Sequence, residues 1–218
     1  MIHSAARGDA QARADFARRY ASVVRAYLRA RWRTPPLREE VDDAVQDVFV
    51  ECFKDKGVLA NANSDAPSGF RAFLFAAVRN RARATEARHQ RRAPRDPRAA
   101  EIDMELLESD EERLSKVLDR AWAEALMREA AARQAQRAAA KGEAAELRLE
   151  LLRLRFDEDL PIREIARRWG VDADHLHHEY AKARREFREA LLEVILFHHP
   201  GTASEAELEC QRLSSLLA

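Results

Sequence analysis

Six arginines, Arg79, Arg81, Arg83, Arg88, Arg91 and Arg92, crowd into residues 79–92 with Asn80 among them and Glu86 as the one acid of the stretch. A guanidinium stays charged at any ordinary pH, fits phosphate oxygens with its fork of donors, and stacks on exposed bases. The chemistry on offer is therefore grip on a nucleic-acid backbone, and the Asn80 amide adds a group that both donates and accepts at a base edge. The competing possibility is a solvated arginine-rich surface. The histidines offer less. His175 and His178 are three residues apart, and His198 and His199 follow, but no cysteine or carboxylate set at metal-ligand spacing accompanies them. Surface or DNA-facing histidines are expected there, not a metal site. The sequence has no phosphate-binding Gly-rich loop, nucleophile elbow or metalloprotease helix, so neither an enzyme nor a cofactor is expected.

The arginine row needs a rigid carrier, and the residues before it supply one. Phe70, Phe73, Leu74, Ala77 and Val78 recur at the spacing that lines one side of a helix, so residues 70–92 read as a helix rooted in a core at one end and basic at the other. Upstream, Phe16, Tyr20, Val23, Val24, Tyr27 and Leu28 predict a helix over 10–31, stopped by Thr34-Pro35-Pro36. Val41, Val45, Val48, Phe49 and Phe53 predict a second over 39–54, in which Cys52 is a small buried hydrophobe. Residues 56–68 form a loop rich in Gly, Asn, Ser and Pro, with Asp65 or Ser68 available to cap the arginine helix.

Beyond Pro97 the composition turns acidic through Glu101, Asp103, Glu105, Glu108, Asp110, Glu111 and Glu112. Leu114, Val117, Leu118, Ala121, Trp122, Ala125 and Leu126 then mark a strongly periodic helix with an alanine-rich extension towards Lys141-Gly142. Another helix carries Leu147, Leu151, Leu154 and Phe156. The clearest local signal follows: a short helix (Ile162, Ile165, Ala166, Trp169), Gly170, the turn Asp172-Ala173-Asp174, and a longer helix with Leu176, Tyr180, Ala183, Phe187 and Leu191. Two helices joined by a tight glycine-containing turn describe a helix-turn-helix. A last amphipathic helix is expected through Leu208, Leu213 and Leu216. The fold class is thus all-α, in two small helical domains. Residues 1–97 form the first, 98–112 an acidic linker, 113–197 the second and 198–218 a tail. Lys+Arg and Asp+Glu balance at 38 each, which excludes a histone-like coat of uniform positive charge. The chain has two cysteines, without Cys-x-x-Cys spacing, and neither a signal-peptide core nor a membrane-spanning run, so a cytoplasmic location without membrane insertion is expected.

The order DDAVQDVFVECF, polar loop, FRAFLFAAVRNRARATEARHQRR, linker and helix-turn-helix resembles an extracytoplasmic-function (ECF) sigma factor of bacterial RNA polymerase. The resemblance covers most of residues 8–196. Arg7-Gly8-Asp9, Phe16 and Tyr20 fit the usual start of the family's region 2, and the second half resembles its region 4. It implies a protein that binds core RNA polymerase and directs promoter recognition, DNA melting and initiation. Asp43, Gln46, Asp47, Phe49 and Val50 fall where the family meets the polymerase clamp, with a core role as the alternative for Phe49. Arg79, Asn80, Arg83, Arg88, Arg91 and Arg92 fall on the element that opens and reads the −10 promoter segment. Residues 56–68 resemble the segment that captures a flipped base. His175, His177, His178, Lys182, Arg184 and Arg185 fall on the helix laid against the −35 element. There the chain departs from the family, which usually has Thr or Ser and basic residues where this chain has His175-Leu176-His177-His178-Glu179-Tyr180. Glu179 would repel phosphates or accept from a cytosine amino group. Promoter DNA and core polymerase are the partners implied, and an anti-sigma factor is a further one the resemblance allows. A stand-alone helix-turn-helix regulator and a sigma-like polymerase adaptor with reduced DNA reading are the alternatives. The acidic run 101–112 reads as a solvated linker, as a shield for the arginine row, or as a nucleic-acid mimic inside the polymerase.

Overall fold

The computed structural model describes residues 4–5, 7–54, 69–92, 110–198 and 202–217, without side-chain detail for 69 and 214–217. Among the described residues the chain is helical with no strand. The expectations for residues 56–68, and for most of the acidic run, lie outside the described residues. No helix among those described is long and apolar enough to cross a membrane. The chain divides into two compact units, Met1–Ala125 with His198–Pro200 and Leu213–Ala218, and Leu126–Phe197 with Gly201–Arg212.

In the first unit, α1 (Ala10–Arg31) starts where the Asp9 carboxylate accepts a hydrogen bond from the Ala12 N–H at 2.7 Å, satisfying a donor that the first turn leaves open. It ends at Trp32, ahead of the two prolines. A short 3-10 turn, Leu37–Glu40, leads into α2 (Val41–Phe53), and α3 runs over Gly69–Arg92. Phe16, Tyr20, Val24, Tyr27 and Leu28 of α1 are buried together with Val41, Val45, Val48 and Phe49 of α2 and Phe70, Leu74 and Val78 of α3. Each such burial contributes about 1.5–3 kcal/mol. Phe16 sits at the centre, with ring centroids 4.7 Å from Tyr20, 5.6 Å from Phe70 and 6.0 Å from Phe49, all edge-on.

α4 (Glu111–Lys141) is one 31-residue helix, and the division between units falls inside it, not at the composition change near 112/113. Its first turns belong to the first unit because they pack there. Leu114, Leu118 and Trp122 are buried, Trp122 stacks on Tyr20 at 5.5 Å, and Arg113 Nη2 donates to the Ala30 carbonyl at 3.0 Å. His198 also belongs to this unit, its Nδ1 2.6 Å from the Tyr20 hydroxyl.

The second unit contains the rest of α4, α5 (Glu143–Phe156), α6 (Ile162–Trp169), α7 (Ala173–His198) short of its last residue, and the first part of α8 (Ala203–Leu217). Gly142, at φ 91° and ψ −174°, separates α4 from α5 in a conformation open to glycine alone. Leu151, Leu154, Ile162, Ile165, Ala166 and Leu176 form a core, with Leu160, Trp169, Ala173 and Tyr180 at its edge. Gly170 at φ 67° takes the left-handed conformation, and its N–H reaches the Ala166 and Arg167 carbonyls, which stops α6 and turns the chain into α7. In α8 the buried positions are Ala206, Cys210 and Leu213, whereas Leu208, expected on the same stripe, is 66% exposed. Its place two residues from both Ala206 and Cys210 puts it on the other side of the helix.

Candidate nucleic-acid interface

α3 is anchored along its whole length. The buried stripe continues past Val78 through Ala82, Thr85, Glu86 and His89, each three or four residues on, so the inward side of the basic half is polar. Glu86 is fully buried. Arg31 donates to it twice, Nε to Oε1 at 2.6 Å and Nη2 to Oε2 at 3.0 Å, and Trp32 Nε1 donates to Oε1 at 2.8 Å. Burial alone would lower the Arg31 pKa, but the Glu86 hydrogen bonds and charge outweigh it and hold the guanidinium even more firmly protonated than usual. Sequence reading missed Arg31 altogether, although a lone acid in an arginine row was a signal that a buried cation faces it.

With that side committed, the arginines leave in different directions. Asn80, Arg83, Arg91 and Arg92 are exposed, and Arg79, Arg81 and Arg88 are half-buried. Arg81 pairs with Asp47, and Arg88 Nη2 donates to Glu40 at 2.7 Å, while His89 Nε2 lies 2.6 Å from the other Glu40 oxygen. Arg79 also lies over the Phe75 ring at 5.7 Å. From the acidic run, Glu111 comes 3.2 Å from Arg83 and 4.0 Å from Arg79. Arg91 and Arg92 have no ion partner among the described residues.

The end of the 3-10 turn, α2 and α3 together line a polar groove of about 420 Å³, formed by Glu40, Asp43, Gln46, Asp47, Thr85, Arg88 and Arg92 around Ala44. Asp43, Gln46 and Val50 are exposed along one strip of α2, Val50 to 57%. Phe49 is a correction to the expected partner-contacting set. It is 8% exposed and packs on Phe16, because its register beside Val45 and Val48 turns it inward. The strip that α2 leaves open to solvent is Asp43, Gln46, half-buried Asp47 and Val50.

In the second unit, His175, His177, His178, Lys182, Arg184 and Arg185 are all exposed on α7. Asp172 accepts from the His175 N–H at 2.9 Å and fixes the helix start, and Arg184 lies over the Tyr180 ring. Glu179, expected to confront DNA, is held to the unit. Arg148 of α5 donates to Glu179 at 3.2 Å and bidentately to Glu186 at 3.1 and 3.0 Å, and Lys182 donates to Glu179 at 2.6 Å. The Lys182 hydrogen bond, then that of Arg148, holds the Glu179 carboxyl below its ordinary range. Among the described residues no cluster of His, Cys, Asp or Glu is placed to hold a metal ion.

The first unit thus offers an exposed amide next to arginines on a rooted helix and, further along that helix, a groove lined by acids and arginines; the second offers a basic helix following a tight turn. Comparison with protein-family models, with curated proteins and with solved structures finds no match.

Proposed function

We propose that this chain is a promoter-specificity subunit of bacterial RNA polymerase with a two-domain architecture resembling that of ECF sigma factors. Its first unit docks on core polymerase through the α2 strip Asp43, Gln46, Asp47 and Val50. α3 reads and opens the −10 region, and α7 engages the upstream duplex. The protein does no chemistry of its own; the polymerase does. The observation that carries this reading is the position of Asn80. It is exposed on the side of the helix next to Arg79 and Arg83, and the opposite side is buried at Phe70, Leu74, Val78 and Ala82. A base reader needs such rigid backing, since ordering a loose segment costs affinity. Neutralisation of Glu179 by Arg148 and Lys182 supports the part given to α7, whose exposed side is then basic and histidine-rich.

Reconstitution tests the reading. Purified protein mixed with core polymerase is expected to give run-off transcripts that depend on particular genomic fragments. Polymerase binding without transcripts would favour an adaptor, and duplex binding without polymerase binding a stand-alone regulator.

A further inference from the structure

Glu111 does not fit where it sits. Its carboxylate lies among three guanidiniums: Oε1 is 3.2 Å from Arg83 Nη2 and 3.6 Å from Arg31 Nη1, and Oε2 is 4.0 Å from Arg79 Nη1. Only the first contact is within hydrogen-bond range. Arg31 is fully buried. Glu86 fixes its Nε and Nη2, which leaves Nη1 aimed at Glu111 with no hydrogen-bond partner. The neighbouring Tyr27 hydroxyl, beside Arg31 and within the field of Glu111, is likewise buried without a well-formed hydrogen bond, as is Arg79 Nε. Three guanidiniums face two carboxylates, Glu86 and Glu111, so the cluster carries an excess positive charge. A planar carboxylate on a side chain tethered to α4 cannot reach all of these donors. A phosphodiester is free of that tether, and its two non-bridging oxygens, with the ester oxygens out of their plane, can approach the donors from a different direction.

We propose that Tyr27, Arg31, Arg79 and Arg83 form a phosphate site that Glu111 fills in the free protein, and that a phosphodiester of single-stranded nucleic acid displaces Glu111 to enter it. The cradle stands on its own geometry; the choice of nucleic acid as the source of phosphate rests on the reading proposed above. The displacement is local. Leu114 and Leu118 stay buried and Arg113 stays bonded to the Ala30 carbonyl, so only the Glu111 side chain at the very start of α4 has to swing out. A strand entering here also meets Asn80, exposed next to Arg79 and Arg83, and Arg91 and Arg92 further along the helix. A free phosphate ion would use the cradle alone. Glu111 therefore sets a threshold: weak or non-specific anions leave the site closed, and a strand that also engages Asn80 opens it.

The test measures binding of a fluorescein-labelled single-stranded oligonucleotide to the full chain by anisotropy, with far-UV circular dichroism as the check on folding. Glu111→Gln keeps the size of the side chain and removes the competing charge, and it is expected to tighten binding by roughly fivefold to tenfold. Glu112→Gln, on the same turn but paired only with Lys116, removes the same charge without touching the cradle and is expected to change affinity less than about twofold. Tyr27→Phe in the Glu111→Gln background is expected to reverse part of the gain. Unchanged affinity in Glu111→Gln overturns the proposal, and so does an equal gain from Glu112→Gln, which would reveal a general charge effect. Thermal protection of Glu111→Gln by inorganic phosphate without tighter oligonucleotide binding overturns the diester assignment. Failure of transcription with core polymerase alongside tighter binding by Glu111→Gln would overturn the initiation reading and leave the cradle standing.

Discussion

Replacing Glu86 with Gln should unfold the first unit more readily than almost any other single change of similar size. The carboxylate is fully buried, accepts three hydrogen bonds from Arg31 and Trp32, and neutralises a guanidinium that is itself without solvent contact. A glutamine keeps one acceptor oxygen but presents an NH2 to a guanidinium that has no lone pair to receive it. The buried cation then loses its only hydrogen-bonded counter-charge and keeps just Glu111 at 3.6 Å, and breaking a buried pair in this way costs about 3–5 kcal/mol. Against a typical stability of about 5–15 kcal/mol this is a large share. With a urea m-value of about 2 kcal/mol/M, a loss of 3 kcal/mol lowers the midpoint by about 1.5 M. The assay is urea unfolding followed by tryptophan fluorescence, because Trp32 and Trp122 both lie in the first unit. A paired variant separates the pair from its surroundings. Arg31→Met with Glu86→Gln removes the orphaned charge while the amide oxygen still accepts from Trp32, and it is expected to recover most of the loss, since an apolar replacement of a buried pair is often neutral. A loss below about 1 kcal/mol in the single mutant, or no recovery in the double, would refute the reasoning.

Gly170→Ala places a side chain at φ 67° and is expected to cost about 1–2 kcal/mol, seen as a lower melting temperature even though a Cβ there meets nothing within 4 Å. Arg148→Ala frees Glu179 and Glu186 from α5 and is expected to destabilise the second unit by about 1–3 kcal/mol in chemical unfolding. The hydrogen bonds of Lys182, and after it Arg148, to Glu179 predict a pH dependence. The folded-state pKa of Glu179 is depressed, so its contribution is fully present above the unfolded value of about 4.3 and is lost as pH falls through the lower folded value. Acid unfolding of the wild type should show that loss and Glu179→Gln should lack it. Cys52, buried and with its thiol pushed up to about 12 chiefly by burial, is expected to resist alkylation at pH 8 in the native protein and to react in urea.

How much of this was legible beforehand depends on how local the determinants are. α1 could be bounded from its cap at Asp9, its apolar stripe and the prolines after it, since each signal acts within a few residues. Gly170 and the turn into α7 were legible for the same reason. The basic half of α3 was only half readable. Its inward stripe passes from Val78 to Thr85, Glu86 and His89, and a polar inward position has no signature until its partner is known. That partner, Arg31, lies on another helix. Glu179 likewise looked like an obstacle to DNA until Arg148, on a separate helix, turned it into a structural contact. Phe49 and Leu208 were matters of register, where one position around a helix decides between core and surface. That some acid after Pro97 would approach the arginine row was foreseeable in outline, but the choice of Glu111, beside Arg79 and Arg83, depended on where α4 begins.

The central claim is that α3 opens promoter DNA from a polymerase-bound protein, and permanganate reactivity of thymines in the −10 region tests it most directly. With core polymerase, the wild type is expected to render those thymines reactive, and Arg79→Ala/Asn80→Ala/Arg83→Ala is expected to abolish the signal while still co-eluting with polymerase. Normal open complexes from the triple mutant would contradict the account, as would a wild type that never binds core polymerase.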